Sequence, residues 1–258
     1  MLLALIFLLP TLIGAIICGG VITLRPVNPT KKYLVLDLDD TLYLRKSNLC
    51  SSLLGAIGEF VQENVPEVTN ADEAAALMGK YYCKYGLTLV GLMKENDVKP
   101  DSYEAFLDDR VDYSLVKADA KLRALLESAQ ANVIIFTNSG SVHASSTLRA
   151  LGIMNTVNMI IHADYASDPI IVKPHPQAYD FVQTTLNAPA SSIYFVDDNE
   201  KNVLAATNAG WNAARFLEPS AEQKDQVVPE ASPMPVESLP YRVISEIYQL
   251  PNVFPSLF

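Results

Sequence analysis

The stretch LVLDLDDTLY, residues 34–43, places Asp37, Asp39 and Asp40 within four positions at the end of an apolar run. Carboxylates this close repel one another unless a cation offsets them, and a divalent metal is the natural partner. A hard ion such as Mg2+ prefers the carboxylate, carbonyl and water oxygens that such a loop offers. An aspartate can attack phosphorus and split a transfer into two easier steps through an acyl phosphate. A second carboxylate can protonate the leaving alkoxide and then deprotonate the attacking water. The plain alternative is an acidic turn in which Asp40 or Thr41 caps a helix.

Three further stretches carry compatible chemistry. In VIIFTNS, Thr137 and Asn138 end an apolar run, where a hydroxyl and a free backbone N–H can hold a phosphoryl oxygen. In IVKPHP, Lys173 can neutralise both a carboxylate nucleophile and an incoming phosphate. In IYFVDDNEKN, Asp197 and Asp198 follow an apolar run just as Asp37 does. Each has an ordinary reading, as turn residues or a solvated lysine. Two strand ends loaded with carboxylates in one sheet are better explained as a metal cage.

The elements that must position these residues can be read from hydrophobic patterning. Continuous apolar runs at 33–37, 132–136, 157–161 and 192–196, with a weaker one at 212–216, predict strands buried on both faces of a parallel sheet. Helical patterns at 119–129, 142–151, 176–186 and 199–209 alternate with them, which gives a Rossmann-like α/β sheet. About ninety residues without a strand-like run follow the first strand and contain four helical segments. Asn70 with Glu73, and Asp101 with Glu104, have capping-box spacing. The reading is a catalytic core, 33–43 and 112–217, with a helical cap, 44–111, over the end of the sheet where open α/β folds bind ligands. The 218–258 tail holds seven of the sixteen prolines and reads as surface wrapping with one short helix at 243–249.

Bulk composition narrows the partners. Half of the 258 residues are apolar, enough for one core and a smaller appended domain. A formal net charge of −10 argues against a nucleic-acid polymer. Cys18, Cys50 and Cys83 are odd in number and scattered, so they read as reduced thiols. Residues 2–24 carry no charge, are long enough to cross a bilayer, and precede Arg25, Lys31 and Lys32. They suggest a transmembrane anchor joined by a linker, 25–32, to a catalytic domain on the cytoplasmic side. The alternatives are an apolar N-terminal core strand and a soluble cytoplasmic protein.

In order and spacing, DLDDTLY, FTNS, VKPHP and FVDDNEKN resemble the four motifs of the haloacid dehalogenase-like (HAD) superfamily, over residues 33 to about 217. The resemblance implies that Asp37 is the nucleophile and Asp39 the general acid/base. It implies that Thr137, Asn138 and Lys173 hold the phosphoryl group, and that Asp37, Asp39, Asp197 and Asp198 form the Mg2+ site. Dehalogenases of the superfamily lack the second carboxylate of the first motif, so Asp39 favours phosphate chemistry. The segments YYCKYGLTLVGLMKENDVKPDSYEAFLDDRVDY and VIIFTNSGSVHASSTLRALGI look like the pyrimidine 5′-nucleotidase branch, with TNS in place of its TNA. That branch implies that Tyr85, Gly86 and Leu87 lie near the leaving group; the alternative is that they pack the cap. His143 and His175 read as structural, and Trp211 as core. The expected activity is Mg2+-dependent hydrolysis of a nucleoside 5′-monophosphate through an aspartyl phosphate. The rivals are a phosphatase of sugar phosphates, a phosphomutase, and a membrane-tethered binding protein without turnover.

Overall fold

The computed structural model describes residues 19–218 and 239–258. Its strands are β1 (Gly20–Thr23), β2 (Lys32–Leu36), β3 (Ala131–Phe136), β4 (Met159–His162), β5 (Ile193–Asp197), β6 (Asn212–Phe216) and β7 (Arg242–Ile244). They form a single sheet in the order β1-β4-β3-β2-β5-β6-β7. Every neighbouring pair is parallel except β1 with β4. Side chains alternate between the faces of a strand, and both faces here are covered. Leu34, Leu36, Val133, Ile135 and Val196 belong to one buried cluster. Tyr33, Val35, Ile134, Phe136 and Phe195 belong to the other, where Trp211 packs against Tyr179 and Phe195.

The helices of the inserted cap are α1 (Leu49–Asn64), α2 (Ala71–Tyr85), α3 (Thr88–Asn96) and α4 (Pro100–Arg110). The core contributes α5 (Ala120–Ser128), α6 (Ser141–Ala150), α7 (Pro176–Leu186) and α8 (Glu200–Asn208), and α9 (Leu250–Val253) lies near the C-terminus. Phe60 on α1 meets Tyr103 and Phe106 on α4 edge to face, which ties those two helices together. Gly86 ends α2 in the left-handed region at φ 82°. Gly91 is needed for packing, because a Cβ there would sit 2.1 Å from Cγ of Tyr81. The Asn70 side chain caps α2 as expected, while Glu73 reaches back to the Thr69 N–H. The second capping box does not form. Pro100, whose fixed φ suits a first helical position, starts α4 instead, and Asp101 falls inside its first turn.

Two expectations are corrected at the ends of the chain. Residues 20–23, assigned in sequence to a membrane anchor, are an edge strand paired antiparallel to β4. Among the described residues no helix is long and apolar enough to cross a membrane, and residues 2–18 lie outside them. The segment assigned as linker is laced to the core. Asn158 O accepts from the N–H groups of Leu24 and Arg25, and Asn132 exchanges two bonds with the Asn28 backbone. A protein starting at Val27 should therefore stay active but lose β1 and the ties of Leu24 and Arg25 to Asn158, while keeping those of Asn28. If the ties contribute about 2 kcal/mol, its Tm falls by roughly 4–8 °C. An unchanged Tm would show that β1 does not stabilise the sheet.

At the other end, the tail from Tyr241 onward is core rather than surface wrapping. β7 extends the sheet in parallel with β6, and Ile244, Ile247, Leu250, Phe254 and Leu257 are buried. The helix expected at 243–249 is instead a strand followed by a short turn of helix, Ile247–Gln249. Val243 and Ile244 are β-branched and pair with Arg215 and Phe216, while the Glu246–Gln249 capping box delays the helical turn.

Candidate active site

The carboxylates gather where β2 and β5 end side by side. Asp37 is still paired to β5 through its N–H to Val196 O. Its Oδ2 accepts from Thr41 Oγ1 at 2.9 Å and its Oδ1 from Lys173 Nζ at 2.7 Å. Lys173 Nζ also donates to Asp197 Oδ2 and Phe136 O, each at 2.7 Å, so all three ammonium protons are placed. Lys173 is 2% exposed and Asp197 fully buried. Burial disfavours the ammonium, but Asp197 and Asp37 outweigh it and hold Lys173 above its usual range. Asp197 is fixed further by the N–H of Asn199 and the amide of Asn202 at the start of α8. Arg45, in the cap's lead-in, bridges Asp40 at 3.0 Å and Asp198 at 3.2 Å.

These groups fit a divalent metal. Ligand-capable oxygens of Asp37, Asp197 and Asp198 lie within 4.8 Å of one another. Burial raises Asp37 well above the usual carboxylate range, and Asp197, Asp198 and Asp39 add to the effect despite Lys173. Burial, followed by Asp197 and Asp40, pushes Asp198 up to about 7. One oxygen of Asp40 is buried without a partner. Carboxylates that resist ionising in each other's company lack a positive charge, and a hard cation supplies it.

A pH dependence follows. The folded state of the metal-free protein holds the Asp198 proton more tightly than the unfolded chain does, whose aspartates titrate near pH 3.9. The contribution of Asp198 to stability is thus full at low pH and is lost as pH rises from about 4 through about 7. In EDTA, the Tm of the native protein should fall more between pH 5 and 7.5 than that of Asp198→Asn. Mg2+ should raise the native Tm more at pH 7.5 than at pH 5. Parallel curves for the two proteins would refute the crowding of these carboxylates.

Asp39 takes a different position from the one expected. It is not in the acidic cluster, so its carboxylate is not a fourth metal ligand in this arrangement. Tyr43 OH, Ser139 Oγ and His143 Nε2 surround it at 2.5, 2.6 and 2.7 Å. Burial pushes its carboxyl up, but His143 and the donated hydrogen bonds outweigh this and bring it down to about 2. The cause of the separation is the end of β2 at Leu36. Strand alternation stops there, and Asp39 turns toward α6.

The remaining candidates divide. Thr137 is buried at the end of β3, but its N–H is taken by Ile161 O, leaving the hydroxyl, which accepts from the Ser139 N–H. The amide of Asn138 is committed to the backbone of Lys173 by two bonds of 2.9 and 2.8 Å, so it positions that lysine. Tyr85 is not brought to the site. Its hydroxyl donates to Glu95, and Lys84 and Lys94 stack on its ring. Tyr82 instead lines a cavity of about 180 Å³ between cap and core, together with Tyr103, Tyr113 and Tyr165. Ser139 and His143, the partners of Asp39, line the same cavity. His143 is therefore a site residue rather than a purely structural one, held on its other side by Tyr113 OH at 3.3 Å. Its partner lies 104 positions away, so no local spacing shows it. The available signal is its place in the first turn of the helix that follows a chemistry-bearing strand end. His175 caps α7 through Nδ1. Cys50 and Cys83 are free thiols, and Cys18 lies outside the described residues.

Comparison with known proteins gives the arrangement a family. Residues 31–210 match the model of haloacid dehalogenase-like hydrolases. The chain is 30% identical over 199 residues to Phosphate metabolism protein 8 of Saccharomyces cerevisiae, covering 71% of this chain and 60% of that protein. It is 28% identical over 152 residues to (S)-2-haloacid dehalogenase of Xanthobacter autotrophicus, covering 57% and 58% of the two chains. It thus spans about 60% of the length of these curated relatives. The solved L-2-haloacid dehalogenase of Xanthobacter autotrophicus shares the fold, with a TM-score of 0.55 at 18% identity over 89% of this chain and 100% of that one. The family match covers Asp37, Thr137, Lys173 and Asp197 alike, and the chain belongs to the haloacid dehalogenase-like hydrolases.

Proposed function

We propose that the chain is a Mg2+-dependent phosphomonoesterase that works through an aspartyl phosphate, with a nucleoside 5′-monophosphate as its substrate. The observation that carries the reading is the division of labour between two aspartates two residues apart. Asp37 lies against Lys173 among the cation-binding carboxylates, and Asp39 lies apart among Tyr43, Ser139 and His143. A bound Mg2+, held by Asp37, Asp197 and Asp198, would supply positive charge to the phosphoryl oxygens. Asp37 attacks phosphorus while the bond to the leaving oxygen breaks, and Lys173 and the Thr137 hydroxyl steady the displaced charge. The proton for the leaving oxygen is relayed through the hydrogen-bonded group that Asp39 forms with Tyr43, Ser139 and His143, and Asp39, as a carboxylate, takes one from the water that cleaves the acyl phosphate. Its three neighbours hold it in place for both roles.

One named relative is a dehalogenase, and Asp39 is what favours phosphate chemistry here. Every motif residue is present, which speaks against a binding protein without turnover. The tyrosines of the cavity support a leaving group that carries a flat base, because aromatic faces stack on bases. Phosphate release from a panel of monoesters, with Mg2+ and with EDTA, tests the proposal. UMP and CMP should exceed glucose 6-phosphate in kcat/KM by roughly tenfold if about 1.4 kcal/mol of stacking is realised in the transition state. EDTA should silence the enzyme and Mg2+ restore it. Sugar phosphates leading the panel would remove the nucleotide assignment, and metal-independent turnover would remove the metal.

A further inference from the structure

The cavity beside Asp39 is bounded unevenly in charge. Among the described residues that line it there is no lysine or arginine, while Glu104 and Asp108 bring carboxylates from α4. Glu104 is half-buried and reaches across from the cap to the first turn of α6. A Cβ at Gly140 would sit 2.3 Å from its Oε1, so the carboxylate lies directly against the backbone at the start of α6. The lysine and arginine of the site are paired with its metal-binding carboxylates instead. Lys173 is bound to Asp37 and Asp197, and Arg45 to Asp40 and Asp198. The lysine and arginine are therefore on the side where the phosphoryl group is transferred, and the cavity where the leaving group rests has Glu104 and Asp108 without either.

We infer that this cavity is a leaving-group site that excludes a second anion, and that Glu104 is its specificity-determining residue. The inference rests on the phosphomonoesterase reading and names the substrate class within it. An uncharged leaving group with hydroxyl or amino donors, as in a nucleoside or a polyol, gives the Glu104 carboxylate a hydrogen bond to accept. A leaving group carrying a phosphate or carboxylate of its own meets Glu104 and Asp108 with no lysine or arginine in the lining to offset it, and like charges brought together across a contact are strongly disfavoured. The aromatic walls contribute area to either kind of ligand, so charge decides between them.

The test uses the full chain with Mg2+ and substrate pairs that differ by one anionic group on the leaving group. Uridine 5′-monophosphate is set against uridine 3′,5′-bisphosphate, and glycerol 3-phosphate against 3-phosphoglycerate. The native protein should prefer the uncharged member of each pair by roughly tenfold or more in kcat/KM. Glu104→Gln keeps the shape and removes the charge, and should narrow that preference several-fold by raising kcat/KM for the anionic member. Asp108→Asn, on an exposed position at the rim, should narrow it less. Equal turnover of both members by the native protein, or a preference unmoved by Glu104→Gln, overturns the inference while leaving the phosphatase standing. Release of phosphate from no monoester at all overturns the phosphatase reading and this inference with it.

Discussion

Asp37→Asn should reduce phosphate release by roughly four orders of magnitude or more, because an amide cannot form the acyl phosphate. No acyl phosphate should be trapped by rapid acid quench. The same variant should be no less stable than the native protein in EDTA. The carboxyl of Asp37 is raised by burial and by three neighbouring aspartates, so its charge is a burden on the folded state, and Lys173 keeps Asp197 as a partner when that charge is gone. Lost activity with an equal or higher Tm is the pattern of a residue retained for chemistry rather than for stability. Turnover within tenfold of native would rule out Asp37 as nucleophile, and a large fall in Tm would contradict the electrostatic description.

Lys173→Met should have the opposite signature. Its ammonium is the common partner of Asp37 and Asp197, one of them fully buried. Removing one member of a buried ionic group strands the others, at a cost of about 3–5 kcal/mol. For a chain of this size that is a fall in Tm of roughly 6–20 °C. Millimolar Mg2+ should recover part of the loss, since a cation among the same carboxylates replaces some of the missing charge. Differential scanning calorimetry in EDTA and in Mg2+ decides the matter. A Tm within 2 °C of native in EDTA would show that the triad does not hold the strand ends together.

The strands around the site were the most legible part of the sequence. β2, β3 and β5 are buried on both faces, so their runs are unbroken and their carboxylates and Thr137 stand out as punctuation. Lys173 was legible as a charge beside a strand-like run, although its partners lie 136 and 24 positions away. The surroundings of Asp39 were hidden, because Ser139 and His143 reach it across 100 and 104 positions and neither has a distinctive spacing. Tyr85 misled because an aromatic residue before a glycine reads equally well as a base-stacking surface or as a helix end. Its fate is set by Glu95, a residue on the next helix. The N-terminal strand misled for a related reason. An uncharged run supports a membrane span or an edge strand alike, and only its pairing with β4 distinguishes them.

The antiparallel course of β1 also fixes which way the molecule faces when it is held. Gly20 pairs with His162, at the end of the sheet that carries the catalytic residues, and Gly19 lies close to Thr137 and Asn138. Leu257 O accepts from the Gln130 N–H just before β3 begins, at the opposite pole. A bead or sensor chip attached at Gly19 itself would turn the cavity toward the support and crowd its mouth. Attachment after Phe258 would present the cavity to solution. Kinetics on immobilised protein should therefore differ with the end chosen, and the C-terminal attachment is the one suited to measuring substrates.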